Sequence, residues 1–260
     1  MSFEYKKSLG QNFLKDNNII EKISNSINPN RNDLIIEIGP GDGALTKKLF
    51  NKNCDVICFE IDKRLEERLN LIKNEHLKVV FEDFLKVDLD KYINNKYENV
   101  YFVGNLPYYI TTAIINKITS ESNPKQMIIM IQKEVGQRFM ANIKSKQYNS
   151  LSVFLQYNYD IKKICDVSKN CFEPRPKVDS VVLSLIKHDK YSSLVKNEDN
   201  FYRLIKDSFR QKRKTLKNNL NGYDLNKVNE ALKVCNKSIN NRAEEIKIEE
   251  FIEISNKLIS

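Results

Sequence analysis

The sequence predicts an α/β fold, a doubly wound and mostly parallel sheet, with a small all-helical domain after it. Three observations predict this. Between residue 33 and about residue 140, short apolar runs alternate with stretches whose apolar residues recur every three or four positions, the strand–helix rhythm of a parallel sheet. Successive strands end in a polar residue, Glu60, Asp83 and Asn105, at the edge where open α/β sheets bind their ligands. From about residue 190 the patterns become helical only, which sets the domains at 1–188 and 189–260.

The elements follow in order. Leu9 to Leu14 has no regular period and reads as a tail, although the amide pair Gln11-Asn12 beside Phe13 and Leu14 also suits a lid. Asp16 or Asn17 caps a helix with Ile19, Ile20, Ile23 and Ile27 on one face, and Pro29 ends it. A strand from Asp33 to Ile38 runs into Gly39-Pro40-Gly41-Asp42-Gly43, and Ala44, Leu45 and Leu49 resume helical spacing. Strand, glycine turn and helix together let backbone approach a ligand beside a helix N-terminus. The third glycine falls one place too early for the dinucleotide fingerprint. The next strand, Asp55 to Phe59, ends at Glu60 with Asp62 close behind. A carboxylate there can accept from both hydroxyls of a ribose, which suits nicotinamide cofactors and S-adenosylmethionine alike. A helix carrying Leu65, Leu69 and Ile72 precedes a strand from Leu77 to Phe81, which ends in Glu82-Asp83-Phe84. Asp83 can accept from an adenine amino group there, and Phe84 can flank the ring.

The most specific stretch is Val103 to Tyr109. The strand beginning at Val100 stops at Gly104-Asn105, and Pro107 blocks its continuation. An Asn side-chain oxygen beside the Leu106 carbonyl offers two acceptors to one amino group, and an adjacent Tyr offers a stacking face. That set suits methylation of the exocyclic amine of adenine or cytosine. The structural alternative is a strand-end turn whose Asn bonds its own backbone.

Beyond the turn, Thr111 and Thr112 open a helix with Ile114, Ile115 and Ile118, and Met127 to Ile131 is a very apolar strand. A helix with Val135, Phe139 and Met140 leads to a Lys-rich loop at 144–147. Leu151 to Ile164 and Val178 to Ile186 both alternate like strands. Between them Pro174 and Pro176 stiffen a loop that leaves Phe172 exposed at its start. The helical region contains Arg210-Gln211-Lys212-Arg213-Lys214-Thr215-Leu216-Lys217, the densest positive cluster in the chain. A solvated helix face also explains such a run.

Lys and Arg number 43 against 34 Asp and Glu, a formal charge of +9 that suits an anionic partner such as nucleic acid. Five cysteines without a C-x-x-C pair, with only His76 and His188 beside them, point to free thiols and no metal site. No apolar run reaches membrane-spanning length and no signal-peptide core is present, so a soluble cytoplasmic protein without a membrane partner is expected.

Six segments taken together carry a resemblance: L-G-Q-N-F-L (9–14), E-I-G-P-G-D-G-A-L-T (37–46), F-E-I-D (59–62), E-D-F-L (82–85), N-L-P-Y-Y-I-T-T (105–112) and F-E-P-R-P-K-V-D-S (172–180). With F-R-Q-K-R-K-T-L-K-N-N-L (209–220), they span nearly the whole chain in register. The chain resembles the ribosomal RNA adenine dimethyltransferases, and among them the KsgA type that acts on small-subunit rRNA.

The resemblance implies a Rossmann-like methyltransferase sheet, S-adenosylmethionine as donor, and a helical domain that helps hold RNA. It implies that Asn12 and Leu14 close over the donor, Gly39 and Gly41 line its methionine portion, Glu60 takes the ribose diol and Asp83 the adenine, beside Phe84. Asn105 and the Leu106 carbonyl, stiffened by Pro107, would hold the target amine, with Tyr108 on one face of the base and Phe172 near the other. Arg210, Lys212, Arg213, Lys214 and Lys217 would grip RNA. The implied substrate is a pair of adjacent adenosines near the 3′ end of small-subunit rRNA in a pre-ribosomal particle, met by a monomer. The Erm-type methyltransferases of large-subunit rRNA, and a non-catalytic RNA-binding assembly factor on the same scaffold, are the alternatives.

Overall fold

The computed structural model describes residues 4–6, 9–72, 74–93 and 95–259. The chain divides into two compact units, Met1–Gly136 with Lys162–Lys187, and Gln137–Ile161 with His188–Ser260.

The first unit is built on a seven-stranded sheet. Its strands are β2 (Leu34–Ile38), β3 (Asp55–Phe59), β4 (Leu77–Val80), β5 (Val100–Asn105), β6 (Gln126–Gln132), β7 (Tyr159–Val167) and β9 (Ser180–Lys187), in the order β4-β3-β2-β5-β6-β9-β7. β2 through β6 pair in parallel, and β9 runs antiparallel to β6. Every residue of β2 is buried, as is the apolar run of β6, which is what a parallel sheet covered on both faces requires. The chain steps outward from β2 to β3 and β4, then returns to β5 on the other side. The strand order therefore reverses between β2 and β5, where Ile38 lies opposite Gly104, and ligands of such sheets bind at this switch point. Gly104 is needed there for packing, because a Cβ would lie 2.5 Å from the Ile38 carbonyl oxygen.

The helices α1 (Asn17–Asn25), α2 (Thr46–Leu49), α3 (Glu66–Asn70) and α4 (Thr111–Glu121) connect these strands. Asp16 caps α1 by accepting from the Asn18 and Ile19 N–H groups, and Ile19, Ile20 and Ile23 form its buried face. The segment before α1 is not a loose tail. Phe13–Leu14 forms a short strand, β1, antiparallel to β8 (Phe172–Glu173), and the Lys15 N–H extends the pairing to the Cys171 carbonyl at 2.8 Å. Phe172, expected to be exposed, is 6% exposed as a result, and packs among Leu14, Ile20 and Ile23.

The second unit is helical. The loop 140–149 leads into α6 (Ser150–Asn158), and α7 (Glu198–Ser208), α8 (Leu216–Asn219), α9 (Leu225–Val234) and α10 (Ile248–Ile259) follow; α5 (Lys133–Phe139) runs into it from β6. The expected strand from 151 to 164 is half helix. Asn149 accepts from the Leu151 and Ser152 N–H groups while Ser152 Oγ accepts from the Asn149 N–H, a reciprocal cap that starts α6. Ser152, Val153, Leu155 and Tyr157 are all buried, so this helix is apolar on several sides and its sequence lacks the one-faced 3.6 period. Tyr148, Val153 and Tyr157 share a core with Phe201, Leu232 and Phe251. Residues 137–161 thus belong with the C-terminal helices, whereas the division at 188/189 left them in the first domain. No described helix is long and apolar enough to cross a membrane.

Candidate active site

Asn105 is the last residue of β5, and the turn after it is fixed at several atoms. The Leu106 N–H donates to the Met130 carbonyl at 3.0 Å, which carries the β5–β6 pairing one residue past the strand. The Pro107 carbonyl accepts from the Ile110 N–H at 3.2 Å and from Thr111 Oγ1 at 3.0 Å as α4 begins. Asn105 Nδ2 donates to the Asn12 carbonyl at 2.8 Å. A carbonyl can only accept, so this partner orients the amide and turns Oδ1 the other way. Among the described residues no donor bonds Asn105 Oδ1 or the Leu106 carbonyl. The side chain therefore does not bond its own backbone, as the structural alternative required. Tyr108 is half-buried, with its phenol oxygen 2.7 Å from Ser180 Oγ.

A cleft opens beside this turn. The carboxyl ends of four strands line it, through Gly39 and Gly41, Glu60, Asp83 and Phe84, and Asn105, together with Leu9 to Phe13. A second cleft shares Asn12, Phe13, Gly39, Gly41 and Asn105 and reaches Leu14 and Glu37. Gly41 has φ +59°, and a Cβ there would lie 3.2 Å from the Phe13 ring. Gly41 thus lets the Phe13 ring pack directly on the turn.

Glu60 is 5% exposed, and its two oxygens accept from the Gly41 N–H at 3.1 Å and the Asp62 N–H at 2.9 Å. Burial pushes its carboxyl above the usual range, and these backbone bonds only partly oppose the rise. Each carboxylate oxygen has a further lone pair, so Glu60 both shapes the glycine turn and can accept from a vicinal diol. Asp62 is held well below its ordinary value, first by the Arg64 guanidinium at 2.6 Å, and it accepts from Gln11 Nε2 at 2.7 Å. That last bond ties the N-terminal segment to the end of β3. Asp83 accepts from the Leu85 N–H at 3.1 Å through one oxygen, which leaves its other oxygen for an amino group. Phe84 meets Phe59 and Phe102 edge-on at 5.7 and 6.3 Å and gives the cleft an apolar wall. A diol acceptor, an amino-group acceptor and an apolar wall on neighbouring strands fit a nucleoside.

The structure brings Asn12, Gly39, Gly41, Glu60, Asp83, Phe84, Asn105 and Pro107 to one cleft and Leu14 to the adjoining one. Leu106, Tyr108 and Phe172 do not line either. The Leu106 side chain is buried, and Phe172 pairs with the N-terminal segment.

Sequence reasoning assigned no role to Glu37. It is 2% exposed in β2, accepts from Thr46 Oγ1 at 2.6 Å and Cys58 Sγ at 3.3 Å, and burial pushes it up to about 7. The signal for it was an acid in the middle of an otherwise apolar buried strand.

In the helical unit, Arg210, Lys212, Arg213 and Lys214 lie on an irregular turn between α7 and α8, not on a helix face, and Lys217 lies in α8. All five are exposed, and none makes an ion pair among the described residues. The turn is shaped by Asn219, which is 8% exposed. Its Nδ2 donates to the Ser208 carbonyl at 2.7 Å and the Gln211 carbonyl at 3.2 Å, and its Oδ1 accepts from the Gln211 N–H at 3.1 Å. Lys212 Nζ donates to the Lys146 carbonyl, which joins the Lys-rich loop to this basic turn.

A model of the family "Ribosomal RNA adenine dimethylase" matches residues 2–260. The chain is 42% identical to "Ribosomal RNA small subunit methyltransferase A" of Bacillus pumilus, over 98% of this chain and 92% of that one. The solved dimethyladenosine transferase of Plasmodium falciparum superposes with a TM-score of 0.78 at 27% identity, covering 93% of this chain and 95% of that one. The 23S rRNA methyltransferase ErmE shares the fold, with a TM-score of 0.75 at 23% identity over 96% of this chain and 100% of that one.

Proposed function

The chain belongs to the ribosomal RNA adenine dimethylase family, and from that premise we propose that it dimethylates the exocyclic amines of two adjacent adenosines near the 3′ end of small-subunit rRNA. S-adenosylmethionine, when bound, supplies an electrophilic methyl group on its sulfonium. The single observation that carries the reading is the Asn105 turn, whose side-chain oxygen and adjacent Leu106 carbonyl are two fixed acceptors at the switch point, beside a cleft that fits a nucleoside. The 42% relative carries the small-subunit name, whereas the large-subunit enzyme shares only the fold at 23% identity, so small-subunit rRNA in a precursor particle is the substrate favoured here.

Glu60 holds the ribose diol of the donor, Asp83 and Phe84 its adenine, and Gly39, Gly41, Asn12 and Leu14 surround the methionine portion. The target adenine leaves its stack, which costs a few kcal/mol in a duplex and less in a loop, and Tyr108 offers the replacing face. An exocyclic amine is a poor nucleophile while its lone pair is delocalised into the ring. Asn105 Oδ1 and the Leu106 carbonyl accept its hydrogens and favour a pyramidal nitrogen facing the donor. Alignment of this kind is worth up to about 7–11 kcal/mol. No general base is required, because the methylated aminium is acidic enough to give its proton to water. After one transfer a hydrogen remains for one acceptor to hold, and after two none remains, so transfer stops. The basic turn of the helical unit supplies phosphate contacts.

Asn105→Ala tests this reading. Methyl transfer to small-subunit rRNA should fall below detection while S-adenosylmethionine affinity, measured by calorimetry, stays within a few-fold of wild type. Near-wild-type turnover by the variant would sink the assignment.

A further inference from the structure

Ser180 has no role in the reaction as derived so far, yet it is fully buried and its hydroxyl lies 2.7 Å from the phenol oxygen of Tyr108. The topology explains how it gets there. The parallel strands bring their last residues to the active edge, but β9 runs antiparallel to β6 and so brings its first residue there, with Ser180 opposite Gln132. The Lys133 N–H donates to the Asp179 carbonyl at 3.0 Å and locks that end of β9 to β6. Asp179 in turn accepts from the Lys169 N–H at 2.9 Å. The hydroxyl therefore stands on a rigid element, while Tyr108 stands on a turn.

The far end of the Tyr108 ring is thus tied to the sheet, and its near end to a turn held by Leu106 and Pro107. With both ends fixed, the ring cannot swing about its Cα–Cβ bond without breaking the hydrogen bond to Ser180. We propose that Ser180 is a positioning residue, which fixes where the Tyr108 ring stands and through it the place of the target base against the acceptors on Asn105 and Leu106. This rests on the methyltransferase reading. Its consequence is kinetic, since a base that still stacks but tilts away from the attack line keeps its affinity and loses rate.

The test is a double-mutant cycle with Ser180→Ala, Tyr108→Phe and the pair. Tyr108→Phe keeps the stacking ring, removes the same hydrogen bond, and does not alter the buried strand. If the hydrogen bond is the agent, each single variant loses about tenfold in kcat, the equivalent of ~1.4 kcal/mol. The pair should lose no more than either single variant. Affinities for S-adenosylmethionine and for RNA should stay within about twofold of wild type, and RNA with 2-aminopurine at the target position should show weaker quenching in all three variants. Losses that multiply in the pair, or a Ser180→Ala variant with wild-type kcat, would overturn the proposal. If Ser180→Ala does not fold, a Tyr108→Phe variant with wild-type kcat overturns it alone. Wild-type protein that transfers no methyl group to rRNA would instead remove the underlying reading, an outcome distinct from either.

Discussion

Substitution of Glu60 tests the donor site, because the structure gives this side chain two tasks that can be measured separately. In the ligand-free protein its oxygens accept from the Gly41 and Asp62 N–H groups. Glu60→Ala leaves both donors without that acceptor, at about 1–3 kcal/mol for each one that water does not reach. Because Glu60 borders an open cleft, water should reach part of the space, and an apo destabilisation of about 2 kcal/mol is expected. The second task is the ribose diol. Loss of charge-assisted hydrogen bonds worth ~1.5–3 kcal/mol should weaken S-adenosylmethionine binding by roughly ten- to a hundredfold. Calorimetry against S-adenosylmethionine measures the second effect, and thermal unfolding of the apo protein measures the first. A pH series adds a sign. Burial raises the Glu60 carboxyl, so protonation removes the acceptor as pH falls, and wild-type donor affinity should weaken toward acid. Glu60→Gln should flatten that dependence. Unchanged affinity in Glu60→Ala, or an equally steep pH dependence in Glu60→Gln, would refute the assignment.

Two further outcomes follow from the structure. Glu37 is raised from 4.5 to about 7 by burial, so between those values the folded protein holds a proton that the unfolded chain has released. Stability must then fall as pH rises through that window, by at most about 3 kcal/mol. Glu37→Gln should therefore raise the apo melting temperature more at pH 8 than at pH 5, and an equal change at both would contradict the buried, raised acid. In the helical unit, Lys212→Ala/Arg213→Ala/Lys214→Ala should weaken rRNA binding and flatten its log–log salt slope by about 2–3 if each contacts a phosphate. Donor affinity should not change, and RNA titrations at several salt concentrations with unchanged slope would return these side chains to a solvated surface.

The sheet and the gathering of most of the expected residues at one cleft were legible because their signals are local. A strand that ends in Glu60, Asp83 or Asn105 places that residue at the carboxyl edge however the strands are ordered, and a parallel sheet brings those edges together. What stayed hidden depends on pairing across long stretches of sequence. Phe13–Leu14 has no period of its own and becomes a strand only against Phe172–Glu173, so the segment read as a tail and Phe172 read as exposed. Ser180 lies 72 residues from Tyr108, and nothing near either residue in sequence announces their contact. The segment from 151 to 158 misled for a different reason. Its apolar residues alternate as in a strand, but Asn149 and Ser152 cap a helix that is buried on several sides. The basic turn was legible as charge, whereas its shape depends on Asn219, whose bonds to Ser208 and Gln211 leave no mark in a charge pattern.

We expect this chain to place two methyl groups on each of two adjacent adenosines of small-subunit rRNA. Mass mapping tests it directly, after purified protein and S-adenosylmethionine are incubated with ribosomal subunits from cells that lack the modification. Two neighbouring N6,N6-dimethyladenosines are expected near the 3′ end of the small-subunit rRNA, and none when Asn105→Ala replaces the wild type. Dimethyladenosine confined to large-subunit rRNA, or no transfer to either subunit by folded, donor-binding protein, would contradict it.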